Sequence, residues 1–139
     1  MLKSIFTTIF ILFSAVQIGY AQTPAPAPPA DGETTKLYFK LEPPLVVNVD
    51  EGDIVRFLQV DAQIQYADPL AQAIIEKHMP AIRHALVMLL SGRPVTEIKT
   101  PQGKEKLREM TLKELQHVMT ETTGEPVIDA IYFTGFVIQ

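Results

Sequence analysis

Apolar side chains dominate residues 80–90, the most apolar stretch of the chain outside its N-terminus. Four of them recur at the spacing that places side chains on one face of a helix: Ile82, Ala85, Leu86 and Leu89. Val87, Met88 and Leu90 widen this stripe almost all the way around the helix. Because a helix that is apolar on most sides is normally buried, we expect this segment to form the central helix of the core.

Residues 54–66 alternate between apolar and polar side chains and therefore predict a strand. The apolar set is Leu58, Val60, Ala62, Ile64 and Tyr66, and the polar set is Gln59, Asp61, Gln63 and Gln65. A period of two indicates an antiparallel sheet with one face on the core and one in water. Residues 36–41 and 45–49 predict two earlier strands, and the glycine-containing segment 50–53 predicts the turn before the long strand.

Helix signals follow the long strand. Asp68 and Pro69 predict the N-cap and first position of a helix that extends to about His78. Pro80 then either kinks this helix or begins the core helix. The Ser-Gly pair at residues 91–92 predicts the end of the core helix, because glycine is the usual residue after a helix C-terminus.

The last third of the chain predicts one more helix and a final strand. Residues 95–99 are expected to form a connector, and residues 100–124 a helix that begins at Thr-Pro and ends at Gly. Its apolar stripe consists of Leu107, Leu115 and Val118. The nearly continuous apolar run at 126–139 predicts a strand buried on both sides. The order β-β-β-α-α-α-β predicts an α+β fold, an antiparallel sheet with helices packed on one face.

Three regions are predicted along the chain. Residues 1–21 combine one basic residue, an apolar run and small residues before Gln22, which fits a secretory signal peptide. An uncleaved membrane anchor is the alternative, although the run falls slightly short of the roughly 20 apolar residues that span a bilayer. Residues 22–35 form a Pro/Ala-rich linker, either an extended spacer or a tail left after cleavage. Residues 36–139 are then an exported folded domain.

Composition limits the possible functions. The chain of 139 residues has 12 basic and 16 acidic residues, a formal net charge of −4, and no cysteine. Without a basic stripe, nucleic acid is not expected as a partner. The missing cysteines exclude disulfides, thiolate metal sites and cysteine nucleophiles within this sequence.

The residue types that support catalysis or metal binding do not form a recognisable pattern. Ser91 lies in Leu-Ser-Gly rather than in a nucleophile elbow, so it is expected to end a helix. Glu114 and His117 have the spacing of half a carboxylate-bridged metal site, but the second half is missing. His117 paired with Glu121 on a solvated helix face is the simpler interpretation. The sequence therefore predicts no catalytic residue, metal or cofactor.

A surface for protein interaction is the better-supported hypothesis. The polar face of the long strand could be an ordinary solvated face, or it could contact a neighbouring chain. His84 could be a polar edge of the core helix, a contact residue or a pH sensor. The candidate interaction residues are Asp61, Gln63, Arg83, His84 and Arg93.

Four segments together resemble the FliL family of flagellar basal-body-associated proteins. The C-terminal segment 131–139, Ile-Tyr-Phe-Thr-Gly-Phe-Val-Ile-Gln, is similar to the end of that family, and residues 79–91 are similar to its central helix. Gly103 and Lys104, followed by Leu107, resemble the start of its last helix, and residues 57–60 its long strand. Gly135 stands where the family often places a polar residue.

The resemblance implies a non-enzymatic protein without a cofactor, with an N-terminal inner-membrane span and a periplasmic domain of stomatin/prohibitin-like fold. It further implies a homo-oligomeric ring around the flagellar stator units that supports rotation, swimming, swarming and chemotaxis. Stator and basal-body proteins would then be the partners, with the membrane as a further one if the N-terminus is uncleaved. The alternatives are an exported scaffold or adaptor of the same fold that is not tied to the flagellum, and a small periplasmic ligand-binding module, which would need a pocket with convergent polar groups.

Overall fold

The computed structural model describes residues 35–139, and these residues form five strands and four helices. The strands are β1 (Leu37–Lys40), β2 (Leu45–Glu51), β3 (Ile54–Tyr66), β4 (Arg93–Pro94) and β5 (Ala130–Ile138). The helices are α1 (Ala71–Lys77), α2 (Met79–Leu90), α3 (Val95–Ile98) and α4 (Pro101–Thr123). The chain thus has the predicted α+β architecture.

The long strand β3 is the centre of the sheet. On one side, β1 pairs antiparallel with its C-terminal part and β2 with its N-terminal part. The break between β1 and β2 contains a cis peptide bond before Pro43. On the other side, β5 pairs antiparallel with β3. The short strand β4 is parallel to β2. The sheet is therefore mixed, whereas the sequence predicted a purely antiparallel sheet.

One face of this sheet holds the hydrophobic core. The predicted apolar set of β3 is buried throughout, from Leu58 to Tyr66, which confirms the alternation read from the sequence. Helix α2 buries Ile82, Ala85, Leu86 and Leu90. Complete burial of each leucine or isoleucine side chain in this set contributes roughly 1.5–3 kcal/mol. The prediction that α2 is enclosed on most sides is wrong, because Val87 and Met88 are 38% and 67% exposed.

Both ends of α4 lie where the sequence predicts them, whereas α1 begins later than predicted. Helix α4 begins after Thr100, whose hydroxyl oxygen accepts a 2.9 Å hydrogen bond from the Gly103 N–H, and ends at Gly124, with φ of 87°. Helix α1 instead begins at Ala71. The Asp68 carboxylate accepts a hydrogen bond from the Leu70 N–H before the helix starts, so Asp68 stabilises the preceding turn rather than the N-cap position.

The final strand is shorter and less buried than predicted. Strand β5 begins at Ala130 rather than at residue 126, and Tyr132 and Val137 are 42% and 48% exposed. The prediction of burial on both faces is wrong because β5 pairs only with β3 among the described elements and has helices over one face alone. A register shift opposite residues 61 and 62 interrupts the pairing of β5 with β3.

The predicted connector at residues 95–99 contains structure of its own. It follows β4 and forms the single-turn helix α3, which buries Val95 and Ile98. A Cβ atom added to Gly103 would lie 1.7 Å from the carbonyl oxygen of Glu97, so the start of α4 packs directly against the α3 backbone. Glycine at this position therefore allows a close approach between two helices.

The predictions for residues 1–34, namely a signal peptide or membrane anchor and most of the linker, lie outside the described residues. Within residues 35–139, no helix has both the length and the hydropathy needed to cross a bilayer. The stomatin/prohibitin-like fold implied by the family resemblance stays a prediction.

Candidate interaction surface

The second face of the sheet carries no helix in the described part of the chain. Along β2 the buried residues alternate with Val46, Asn48 and Asp50, which are exposed on this second face, called here the outer face. The outer-face residues of β3 are the polar set predicted from the sequence together with Val55 and Phe57. An open sheet face with exposed apolar side chains is a candidate for contact with another protein.

Apolar side chains occupy one end of the outer face. Val46 and Val137 flank Gln59 in register, on the two neighbours of β3. Phe57 lies two residues before Gln59 in β3 and is 53% exposed. Val46 and Val55 are similarly exposed, at 59% and 62%. Three of these side chains, Val46, Phe57 and Val137, are called here the apolar end. When a partner covers exposed aromatic and aliphatic side chains of this kind, their removal from water stabilises the complex.

Two tyrosines form the opposite end of the outer face. Tyr38 of β1 and Tyr132 of β5 approach each other across β3, with ring centroids 6.3 Å apart. The Tyr132 hydroxyl donates a 3.0 Å hydrogen bond to Oε1 of Gln65. Gln65 is only 7% exposed, although it belongs to the polar set that the alternation places in water. The two tyrosines therefore shield the Gln65 side chain from water, and the Tyr132 hydroxyl satisfies its amide oxygen. These contacts fix the tyrosine end before any partner binds.

The centre of the outer face is polar and charged. Asp61 lies opposite Gly135, and a Cβ atom on that glycine would be 2.2 Å from the Asp61 Oδ2. Gly135 therefore leaves room for the Asp61 carboxylate to lie across β5. Lys40 donates a 2.6 Å hydrogen bond to Glu42, which raises the pKa of Lys40, and the nearby Asp61 charge acts in the same direction.

The structure places the five candidate interaction residues in separate regions. Asp61 and Gln63 lie together on the outer face. Arg83 extends from α2 and donates a 2.9 Å hydrogen bond to the Pro43 carbonyl, and His84 is exposed on the same helix. Arg93 in β4 donates to the Leu89 carbonyl and lies 3.9 Å from the Glu97 carboxylate. Arg83 and Arg93 thus make intramolecular contacts, and whether any of the five contacts a partner stays a prediction.

The candidate catalytic and metal-binding groups of the described residues lie apart from one another. Among residues 35–139, no group of three or more His, Asp or Glu side chains is arranged to hold a metal ion. Ser91 is exposed at the end of α2, and the His117 ring lies 3.4 Å from Glu121 on an exposed helix face, as the sequence predicts. These groups do not converge in a pocket.

Sequence reasoning identified the polar centre but missed both ends of the outer face. The apolar end and the two tyrosines combine residues from β1, β2, β3 and β5, which the sequence alone does not place side by side. A weak signal was available in β5, because Tyr132 is itself amphipathic.

The comparisons agree with the resemblance noted in the sequence. A family model for the flagellar basal body-associated protein FliL matches residues 38–139, the folded domain from β1 to the C-terminal residue. The flagellar protein FliL of Aquifex aeolicus (strain VF5) is 30% identical over 118 residues, which cover 85% of this chain and 68% of that protein. The chain therefore belongs to the FliL family of flagellar basal body-associated proteins.

Proposed function

We propose that this protein supports the stator units of the flagellar motor and thereby flagellar rotation and swimming or swarming motility, as a binding protein and not an enzyme. The observation that carries this proposal is the family match over the whole described domain, which associates the chain with the flagellar basal body. The outer face, which no described element covers, supports it, because a non-enzymatic motor component acts through contact surfaces. A stator component of the motor is the occupant that we assign to the outer face.

The outer face has the composition of a specific protein interface. Its two ends supply apolar and aromatic area, and its centre supplies Asp61, Gln63 and Lys40 for directional polar contacts. Interfaces combine buried aromatic anchors with polar groups that fix orientation. The open edges of the sheet add backbone groups that could pair with a partner strand.

The proposed location is the periplasm, with the domain at residues 36–139 held near the inner membrane by residues 1–21 through the linker 22–35, or released if residues 1–21 are cleaved. Intact mass and fractionation of the protein from cells test this. A full-length chain in the membrane fraction supports an anchor. A chain that starts at Gln22 in the periplasm supports cleavage, and a cytoplasmic chain contradicts the proposal.

The functional test is deletion of the gene in the bacterium that encodes this chain. We expect a smaller swimming or swarming zone and slower flagellar rotation, both restored by the wild-type chain supplied in trans. A deletion strain that rotates its flagella and spreads normally would contradict the proposal and favour a scaffold unrelated to motility.

A further inference from the structure

A groove lies between the first turns of α4 and the strand β5. It has a volume of about 440 Å³, and its walls include Lys104 and Arg108 from α4 and Tyr132, Phe133 and Phe136 from β5. This volume falls within the roughly 300–1,000 Å³ of sites that enclose a ligand. The groove can therefore receive several side chains at once.

The groove combines aromatic surface with positive charge. The Lys104 ammonium is 4.9 Å from the centroid of the Phe136 ring and has no salt bridge within residues 35–139. Arg108 is held by Glu105, so this pair is nearly neutral and Lys104 supplies the uncompensated charge. An acidic segment with exposed apolar side chains matches this chemistry.

The edge of β5 beside the groove adds backbone groups. Phe57 and Gln139 exchange both of their backbone hydrogen bonds. Because hydrogen-bonded and non-hydrogen-bonded pairs alternate in an antiparallel ladder, Phe136 directs its N–H and C=O away from β3. The groove therefore offers strand-like contacts in addition to its side chains.

The chain itself carries a segment of matching chemistry at the turn between β2 and β3. Ile54 and Val55 are 57% and 62% exposed there, beyond the region where β5 covers the edge of β3. Asp50 and Asp53 have no salt bridge in the described part of the chain, whereas Glu51 binds Arg56 and Lys99. Residues 50–55, called here the acidic tip, thus present two free carboxylates and two exposed aliphatic side chains.

We propose that the acidic tip of one copy of this protein seats in the groove between α4 and β5 of the next copy. This contact would identify how the subunits meet in the homo-oligomer that the family resemblance implies. Tip and groove are different surfaces, so the contact is heterologous, and an open chain of subunits retains one free tip and one free groove until the assembly closes. Repetition of such a contact gives a ring when the rotation between subunits closes.

Cross-linking tests the contact in the full-length chain, because the sequence contains no cysteine and any introduced pair is the sole thiol pair. Val55→Cys labels the tip and Thr134→Cys labels the groove, and both residues are exposed. With a short bis-maleimide in whole cells, we expect the double variant to give a ladder of multimers. Cells that express the two single variants together should give only dimers.

Several outcomes would overturn this assignment. A dimer formed by either single variant alone would indicate an isologous contact, and a product that contains a different protein at Thr134→Cys would assign the groove to another partner. A double variant that stays monomeric would also contradict it. The pair Val55→Cys and Met88→Cys is the matched control, since Met88 is equally exposed but lies on α2, and it should give no ladder.

A charge exchange tests the chemistry of the contact. Lys104→Glu and Asp53→Lys should each lower the multimer yield about fivefold, the effect of roughly 1 kcal/mol at an exposed charge pair. The two changes combined in one chain should restore the ladder. Failure to restore it, with the fold intact by circular dichroism, would contradict the pairing. A normal ladder from a protein whose deletion leaves motility unchanged would refute the proposed function but retain the contact.

Discussion

Gly103→Ala tests the described packing, because two physical effects change the free energy of unfolding in opposite directions. Alanine is a better helix former than glycine, by about 1 kcal/mol in a helix interior. The structure opposes this gain, since the new Cβ would lie 1.7 Å from the Glu97 carbonyl oxygen and 3.0 Å from the Thr100 hydroxyl oxygen. The first of these neighbours is backbone, so relief requires α3 or the start of α4 to move.

The expected change in the free energy of unfolding combines two costs of the new methyl group. Overpacking a tight contact costs about 1–3 kcal/mol. Loss of the N-cap bond from the Gly103 N–H to Thr100 costs about a further 1 kcal/mol. After the propensity gain is subtracted, we expect the free energy of unfolding to fall by about 1–3 kcal/mol, or roughly 4–12 °C in melting temperature for a domain of this size.

Urea and thermal unfolding of the purified full-length chain provide the assay. Gln102→Ala is the matched control, because Gln102 precedes Gly103 in the same turn and is exposed. We expect the control to change stability by less than about 0.5 kcal/mol. If Gly103→Ala is as stable as the wild type or more stable, helix propensity dominates and the close approach of α3 to α4 is refuted.

Two further predictions concern the outer face and the β2–β3 turn. Tyr132→Phe removes the hydrogen bond to the nearly buried Gln65 and should lower the free energy of unfolding by about 1 kcal/mol in urea titrations, and no loss would show that the bond is not made. The hydrogen bond from Lys99, aided by Arg56, lowers the pKa of Glu51 from its ordinary value of 4.5. The resulting stability is present above pH 4.5 and is lost as the pH falls through the lowered pKa. Glu51→Gln should therefore flatten the acid limb of the stability profile, and an unchanged limb would contradict the pairing.

The central part of the fold was predictable because local patterns and burial agree there. The alternation along β3 gave the correct boundaries, Ile54–Tyr66, and the correct buried face. The Thr-Pro start and Gly end of α4 were also confirmed, since capping chemistry is local to the sequence. Long, strongly periodic segments are the elements that sequence reasoning identifies best.

The errors share a physical origin in tertiary context. An apolar run does not reveal whether a strand is central or at an edge, so β5 was expected to be buried on both faces although Tyr132 and Val137 are exposed. The small elements β4 and α3 depend on contacts with β2 and α4 rather than on local periodicity. Gln65 followed the polar pattern but is covered by the two tyrosines, which come from strands far apart in sequence.

The candidate surface was predicted only in its polar centre. Asp61 and Gln63 are on the outer face as the alternation required, whereas Arg83 and Arg93 bind backbone carbonyls of their own chain. Long basic side chains are as suited to hydrogen bonds with carbonyls of their own chain as to partner contacts, and composition cannot separate these roles. The roles of all five candidate residues in partner contacts stay predictions.

We propose that this FliL-family protein acts on the motor through the outer face of its sheet. The most direct measurement is flagellar rotation speed in a deletion strain complemented with Phe57→Asp, compared with Met88→Asp on the helical side at equal protein levels. Both side chains are exposed, 53% and 67%, so neither change removes a core residue. We expect flagella of the Phe57→Asp strain to rotate as slowly as those of the deletion strain, and flagella of the Met88→Asp strain to rotate at the wild-type speed. Wild-type rotation with Phe57→Asp, or loss of rotation with Met88→Asp alone, would contradict the proposal.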